Sequence, residues 1–343
     1  MRKSSTRVRS VLRDASIHGH PALAAWNRAQ APPAALSRLE IWREFAKPHP
    51  ASIYRLEFEN GGPSSVFAKR CDAVSCQVER SCYEEVVPRL ELSSPTYYGS
   101  VDEPDGSCWL FLEDVGRERF SANEAEHRAL ASRWLGRLHR YGANIEAGRQ
   151  LPEGGPPRYL QHLRDGRARV RRNLENPGIT GDERDFLLTV LATLDRVESR
   201  WDAIERACAV LPETVVHSDF RPKNVRIRQE PSGPVLYALD WELAGWGVPV
   251  ADLAPARHSL GTLQIDPETY ANALVGHGPR LDRRAIRRLS LIGFLFRQLA
   301  AIDWESLSLH FEDPLFLSDP ISSIRAQHPD FTAGLEHAES WLR

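Results

Sequence analysis

Cysteine is scarce in this chain. Cys71, Cys76, Cys82, Cys108 and Cys208 are odd in number, and no two form a C-x-x-C pair. That argues against a disulfide framework or a zinc site and for a reducing compartment. Long hydrophobic runs are also missing: none approaches the roughly 20 apolar residues of a helical membrane span. The first residues are basic (Arg2, Lys3, Arg7, Arg9, Arg13), but no hydrophobic signal core follows them. A cytoplasmic chain with a solvated basic end is expected, with no membrane partner. Charge is nearly balanced, at a net −2, so no global field recruits nucleic acid or a membrane surface. Repeats and low-complexity segments do not occur.

What is present is a globular composition, 42% apolar over 343 residues. That length is long for one core and suits two lobes sharing a cleft. One stretch organises the rest. Val215-Val216 lead into His217-Ser218-Asp219-Phe220-Arg221-Pro222-Lys223-Asn224, and an apolar run, Val235–Leu239, delivers Asp240-Trp241-Glu242. Glu230-Pro231-Ser232-Gly233-Pro234 reads as a hairpin turn between them. A hairpin folds Asp240 back beside Asn224, so that a carboxylate, an amide and Asp219 converge. Such a donor set suits Mg²⁺, which takes few protein oxygens and completes its shell with phosphate oxygens and water. Asp219 is then left to orient an acceptor hydroxyl and take its proton.

The block His217–Asn224 resembles the kinase catalytic loop H-R-D-L-K-P-E-N. Its continuation, Asp240-Trp241-Glu242-x-Ala244-x-x-Gly247-x-Pro249-x-x-Asp252-Leu253-Ala254, is more similar still to the aminoglycoside phosphotransferase and choline kinase family. The resemblance implies an α+β, protein-kinase-like fold in two lobes, the first an antiparallel sheet with one main helix and the second mostly helical. It implies residues 1–37 as an N-terminal extension, 38–114 as a nucleotide-binding lobe, and 115–343 as the lobe with the catalytic loop and acceptor pocket.

Residues 38–70 read as three strands, with a turn at Asn60-Gly61-Gly62. Lys69, on the third, stands where the family's lysine reaches the α/β-phosphates. A helix is expected over 75–90. In it Glu79-Arg80-Ser81-Cys82-Tyr83 is similar to the family's E-x-x-x-Y helix, which makes Glu79 the partner of Lys69, with Glu84 and Glu85 as alternatives. Two further strands end at Glu113, where backbone groups are expected to meet a purine edge. Ser121 and Glu124 form a capping-box signature for a helix to about Tyr141. Within it Leu135-x-x-Leu138-His139 resembles a family motif whose histidine packs rather than catalyses. Residues 159–210 read as two helices about Asn176-Pro177-Gly178, with an arginine run (Arg158, Arg164, Arg167, Arg169, Arg171, Arg172) that either meets an anionic substrate or forms a solvated face. Leu281–Ile302 reads as a core helix. Asp303, Glu305, Glu312 and Asp313 follow, at the place where aminoglycoside kinases hold ammonium groups.

The roles implied are Asp219 as catalytic base, Arg221 beside the γ-phosphate, Asn224 and Asp240 on Mg²⁺, Glu242 as an outer metal contact, and His217 and Asp252 as braces. Two departures from the family pattern stand out. The turn 46–52 holds two prolines and no glycine, and so offers fewer backbone donors to phosphate; Ser52 and His49 are the substitutes at hand. Phe67 shares a strand face with Lys69, where kinases carry a small residue over adenine, which leaves ATP or GTP open. The expected activity is phosphate transfer from ATP to a small-molecule hydroxyl, of an antibiotic or other natural product first, or of a metabolite such as choline, a sugar or a homoserine-like alcohol. A silent nucleotide-binding interaction protein is the reading of a different class. Oligomeric state is not legible.

Overall fold

The structure is a computed structural model that describes residues 10–13, 17, 19–30, 35–43, 51–59, 63–255, 264–276 and 278–342. Residues 46–50 of the expected glycine-free turn, with His49, and the turn at Asn60-Gly61-Gly62 lie outside the described residues. The chain divides into two units: Met1–Arg119 with Lys223–Leu243, and Phe120–Pro222 with Ala244–Arg343.

In the first unit β1 (Ser10–Arg13), β2 (Leu36–Arg43), β3 (Ser52–Phe58), β4 (Ser65–Asp72), β5 (Tyr97–Asp102) and β6 (Ser107–Glu113) form one antiparallel sheet in the order β1-β2-β3-β4-β6-β5. Residues 1–37, expected as an extension, thus contribute an edge strand. They also contribute helix α1 (Pro21–Ala29), whose Ala22, Ala25 and Trp26 pack with Leu39, Leu56, Val66, Ala68, Trp109 and Phe111. Side chains alternate along a strand. With Val66 and Ala68 turned to α1, Lys69 and Cys71 face the other side, where Cys71 packs with Cys76 of helix α2 (Ala73–Ser81), Cys108 and Leu110. Asp72 ends β4 and caps α2 at once, accepting from Ser75 N at 2.9 Å, so no loop separates Lys69 from the helix that carries Glu79. The helix expected over 75–90 continues beyond α2 as a π turn, Cys82–Val86, and a 3₁₀ turn, Val87–Arg89.

Cys76 and Cys108 are joined in a disulfide. This corrects the reading drawn from the odd count and the missing C-x-x-C pair. The two cysteines stand 32 residues apart, and only the packing of α2 on β6 brings them together. Cys71, Cys82 and Cys208 are buried and free.

The expected hairpin is β8 (Val225–Glu230) and β9 (Gly233–Ala238), in register from Val225↔Ala238 to Glu230↔Gly233. It docks on the first unit through Ile227 N to Glu118 O at 3.0 Å, Ser93 Oγ to Leu236 O at 2.5 Å and Arg228 Nη1 to Glu113 Oε1 at 2.5 Å. A boundary drawn along the chain at 114/115 therefore does not follow the packing.

The second unit holds α3 (Ala125–Gly142), α4 (Pro156–Arg172), α5 (Gly181–Glu198), α6 (Trp201–Cys208), α7 (Pro267–Ala273), α8 (Arg283–Ser306) and α9 (Pro314–Glu339), with a short ladder of β7 (Thr214–Val216) and β10 (Gly245–Gly247). The capping box expected at Ser121 is not made. Helix α3 begins at Ala125, because Ser121 N donates to His127 Nδ1 at 3.0 Å and Glu124 reaches His127 Nε2 at 3.3 Å. The insertion expected as two helices is three, with a break at Ser199-Arg200. Helix α8 is buried along much of its length, from Ile286 to Ile302.

Gly293 lies where α8 crosses the turn Pro249–Ala251, directly before Asp252. A Cβ there would press on the Val250 carbonyl, 2.9 Å from its carbon and 3.3 Å from Ala254 N. Gly293→Ala gains about 1 kcal/mol of helix propensity and loses about 1–3 kcal/mol to overpacking against backbone that cannot rotate away. The variant is therefore expected to unfold at lower denaturant concentration with an unchanged slope. A midpoint at or above that of the wild type would disprove the close packing.

Candidate active site

In the first unit Lys69 is 8% exposed, and its ammonium donates to Glu79 Oε2 at 2.7 Å, Asp240 Oδ1 at 2.6 Å and Glu242 Oε2 at 2.7 Å. Of the carboxylates weighed as its partner, Glu79 is the one paired, and two from downstream of the hairpin join it. Burial works against the charge of Lys69, but Asp240, Glu79 and Glu242 together hold its pKa well above the usual lysine range. Glu79 is pushed up to about 7 by burial, with Lys69 pulling the other way. One buried oxygen of Glu79, Oε1, has no hydrogen-bond partner.

The hairpin supplies the rest of this set. Asn224 O accepts from Leu239 N at 2.8 Å, which continues the ladder one pair beyond Val225↔Ala238 and brings Asn224 level with the residue before Asp240. Asp240 itself adopts φ 71°, a left-handed conformation that non-glycine residues enter at a cost of about 1–3 kcal/mol; the kink turns the chain out of β9. Carboxylate oxygens of Glu79, Asp240 and Glu242 lie within 4.8 Å of one another. Three carboxylates against one ammonium leave a formal surplus of two negative charges. That surplus, with the orphaned Glu79 oxygen, fits a divalent cation with phosphate oxygens around it.

In the second unit His217–Arg221 is held from behind by Asp252, which is fully buried. Its carboxylate accepts from His217 N at 2.8 Å, from Ser218 N at 2.7 Å and from His139 Nε2 at 3.1 Å. The His139 Nδ1 side meets Tyr270 Oη at 2.9 Å. Burial penalises the Asp252 charge, yet the His139 bond, the adjacent His139 and His217 rings and the backbone N–H keep its pKa below the usual carboxylate range. His217 is fully buried and its Nδ1 accepts from Asp219 N at 3.4 Å. Ser218 takes φ 63°, so the chain turns at the residue that precedes Asp219. Asp219 is 6% exposed, and Arg221 Nη2 donates to its Oδ2 at 2.8 Å.

Other expected residues fall differently. Ser52 is 1% exposed, opposite Arg70 on β4. Glu113 N donates to Thr96 O at 2.9 Å, and its carboxylate takes Arg228 and Thr96. Phe67 meets Trp42 edge-on at 5.0 Å. Asp303, considered as a holder of ammonium groups, is engaged by His162 Nδ1 at 2.8 Å and by Arg169; Glu305 accepts from Ser323 Oγ at 2.6 Å. The arginine run also divides. Arg164 and Arg167 pair with Glu198, Arg167 also with Asp195, and Arg171 and Arg172 are exposed. Arg158 alone of the run reaches the loop before Asp219, at Ser218 Oγ, 3.4 Å away. Arg297 was not singled out by the sequence, since it sits inside the apolar pattern of α8; its guanidinium donates to Pro255 O at 3.1 Å and Phe220 O at 3.5 Å.

A family model described as the phosphotransferase enzyme family matches residues 51–289. No curated protein matches by sequence. Among solved structures, the chain is similar to a spectinomycin phosphotransferase in complex with ADP and spectinomycin, at 14% identity over 85% of this chain and 90% of the other, with TM-score 0.55. It is similar to an ethanolamine kinase of Plasmodium vivax, at 12% identity over 86% and 83%, with TM-score 0.56. A wild-type aminoglycoside 2'-phosphotransferase IIIa in complex with GDP matches at 12% identity over 88% and 95%, with TM-score 0.56. At such identities the structures speak for the fold alone, which is protein-kinase-like, while the family model spans most of the chain: this protein belongs to the phosphotransferase enzyme family.

Proposed function

We propose that the protein moves the γ-phosphate of ATP, or of GTP, to a hydroxyl of a small molecule, first among them an antibiotic or other natural product. The observation that carries this is the Lys69 ammonium held by Glu79, Asp240 and Glu242, a site with more negative charge than it has cations to meet. Phosphoryl transfer needs charge neutralisation and alignment more than covalent help from the protein. Lys69 holds the α/β-phosphate oxygens, and Glu79 keeps its ammonium in place. Asn224 and Asp240 would hold Mg²⁺, with Glu242 behind them; when bound, the ion neutralises charge on the phosphate oxygens. Asp219 orients the acceptor hydroxyl and takes its proton as the oxygen bonds to phosphorus and the bond to ADP breaks. Arg221, paired with Asp219 in the structure, turns to the transferring group. His217 and Asp252 hold the loop.

A metabolite acceptor is the second reading, supported by the likeness in fold to an ethanolamine kinase. Mg²⁺-dependent ADP release across aminoglycosides, nucleoside and macrolide antibiotics, choline and sugars separates the two. Nucleotide binding with no stimulation by any acceptor would overturn both in favour of a silent binding protein.

Asp219→Ala is expected to lower kcat by about 10²–10⁴-fold, the usual worth of a positioned general base, with nucleotide affinity kept. Turnover within threefold of wild type would remove Asp219 from its role. Lys69→Ala acts on the other substrate: KM for ATP should rise and kcat fall together, and a variant with unchanged KM for ATP would contradict the phosphate contact. Asp240→Asn keeps the size of the side chain but takes a charge from the cation site. Its residual turnover should need a higher Mg²⁺ concentration, which a magnesium titration of the rate measures; the same half-saturating magnesium as wild type would contradict the assignment.

A further inference from the structure

In the second unit Phe220, the residue after Asp219, is fixed twice. Its ring is fully buried, with Trp134 stacked on it at 5.7 Å and Phe120 edge-on at 6.4 Å. Its carbonyl accepts from Gln264 Nε2 at 3.1 Å and from Arg297 Nη2 at 3.5 Å. Each of these side chains also reaches a second carbonyl. Gln264 Nε2 donates to Ala254 O at 2.9 Å, and Arg297 Nη1 donates to Pro255 O at 3.1 Å. Two side chains from separate parts of the chain thus join Phe220 to consecutive carbonyls of the segment that follows Asp252. Carbonyl oxygens only accept, so they gather in this way around shared N–H donors.

Neither side chain is one that burial favours. Gln264 is fully buried, and its Oε1 has no hydrogen-bond partner among the described residues. Burial and the neighbouring charge of Arg221 push the Arg297 guanidinium down to about 10. Apolar side chains of like volume would avoid both costs. What the polar ones add is direction: ring packing holds the Phe220 side chain, and the two donors fix the orientation of its peptide group. The base of this arrangement is itself tied, since Asp266 N, two residues after Gln264, donates to Ser132 Oγ of α3 at 2.7 Å. On the other flank of Asp219, Asp252 accepts from the N–H groups of His217 and Ser218. Asp219 therefore stands between two N–H groups held by a carboxylate and a carbonyl held by two donors.

From this we infer that Gln264 and Arg297 are positioning residues: together they hold the Phe220 carbonyl and, through it, keep Asp219 in the pose in which it meets the acceptor hydroxyl. The inference rests on the phosphotransfer reading and adds to it two residues that act through Asp219 rather than on either substrate.

Hydrogen exchange on the full chain, read by mass spectrometry with ADP and Mg²⁺ present, tests the hold without any acceptor. Gln264→Leu and Arg297→Met should each raise exchange in the segment 214–221 by about tenfold, the worth of one hydrogen bond, while α5 keeps its wild-type protection. Arg297→Lys, which keeps a donor, should stay nearer the wild type than Arg297→Met. Unchanged exchange in 214–221 in both variants would overturn the inference. So would an equal rise in α5, the mark of side chains that merely stabilise the unit. The rate is then read as ADP release from Mg²⁺-ATP with the acceptor that stimulates it most. Each variant should lower kcat by about tenfold to a hundredfold, the cost of displacing a reacting group by ~1 Å, at the wild-type KM for ATP. In an Asp219→Ala background neither should lower the residual rate further, because groups that act as a unit are not additive. A wild-type kcat in both variants, or equal losses with and without Asp219, would overturn the inference. Failure of the phosphotransfer reading has a different signature: the segment 214–221 loosens in the variants, yet no acceptor raises ADP release by the wild-type protein.

Discussion

The Lys69 ion cluster is the constraint on which the first unit turns. A lysine that is 8% exposed is tolerable only with its charge met, because moving an unpaired ammonium from water costs several kcal/mol. Meeting it takes three separate pieces of chain. Strand β4 must present Lys69 on the face away from α1. Helix α2 must start without a loop, so that Glu79 comes to the ammonium. The β8–β9 hairpin must dock on the unit to bring Asp240 and Glu242. Each is held by its own local interaction: the Asp72 cap, the sheet register, and the Ser93, Glu118 and Glu113 contacts of the hairpin. Together they carry more negative charge than Lys69 can balance, a surplus that a divalent cation would meet.

The second unit solves the opposite problem, that of fixing a carboxylate. Asp219 follows a residue in the left-handed region, a conformation that a free loop would not keep. Asp252 accepts two consecutive backbone N–H groups and a histidine from a site without solvent, and His139 is itself tied to Tyr270. Such a network is worth more than its separate bonds, since leaving any member unpaired in the interior is costly. Gly293 takes part by absence: with no side chain, α8 approaches the turn that precedes Asp252.

Acidic residues near the C-terminal end of α8 look available in sequence and are consumed in the fold by Arg169 and His162. The arginines of α4 look equivalent in sequence. In the fold Arg164 and Arg167 serve α5 and Arg169 serves Asp303, while Arg158 meets Ser218.

The sequence by itself determined the chemistry-bearing block, because its residues act over short spans. His217, Asp219, Asn224 and Asp240 are set by a loop and one hairpin, whose turn and alternation can be counted. The strands around Lys69 and the helix around Glu79 follow from local periodicities, while the pairing of Lys69 with Glu79, the antiparallel sheet and the helical remainder follow from the family pattern. Only the tertiary structure decided the rest. The Cys76–Cys108 bond, the burial of Ser52 and the entry of β1 and α1 into the first unit depend on partners far along the chain. Helix α9, with Pro320 and Pro329 inside it, defies local propensity and holds through packing of Leu317 and Ile321 against Leu187 and Leu309. Arg297 is the clearest case. A single charged residue within the apolar stretch 289–302 of α8 has no local signal, and its meaning comes from the two carbonyls that it reaches.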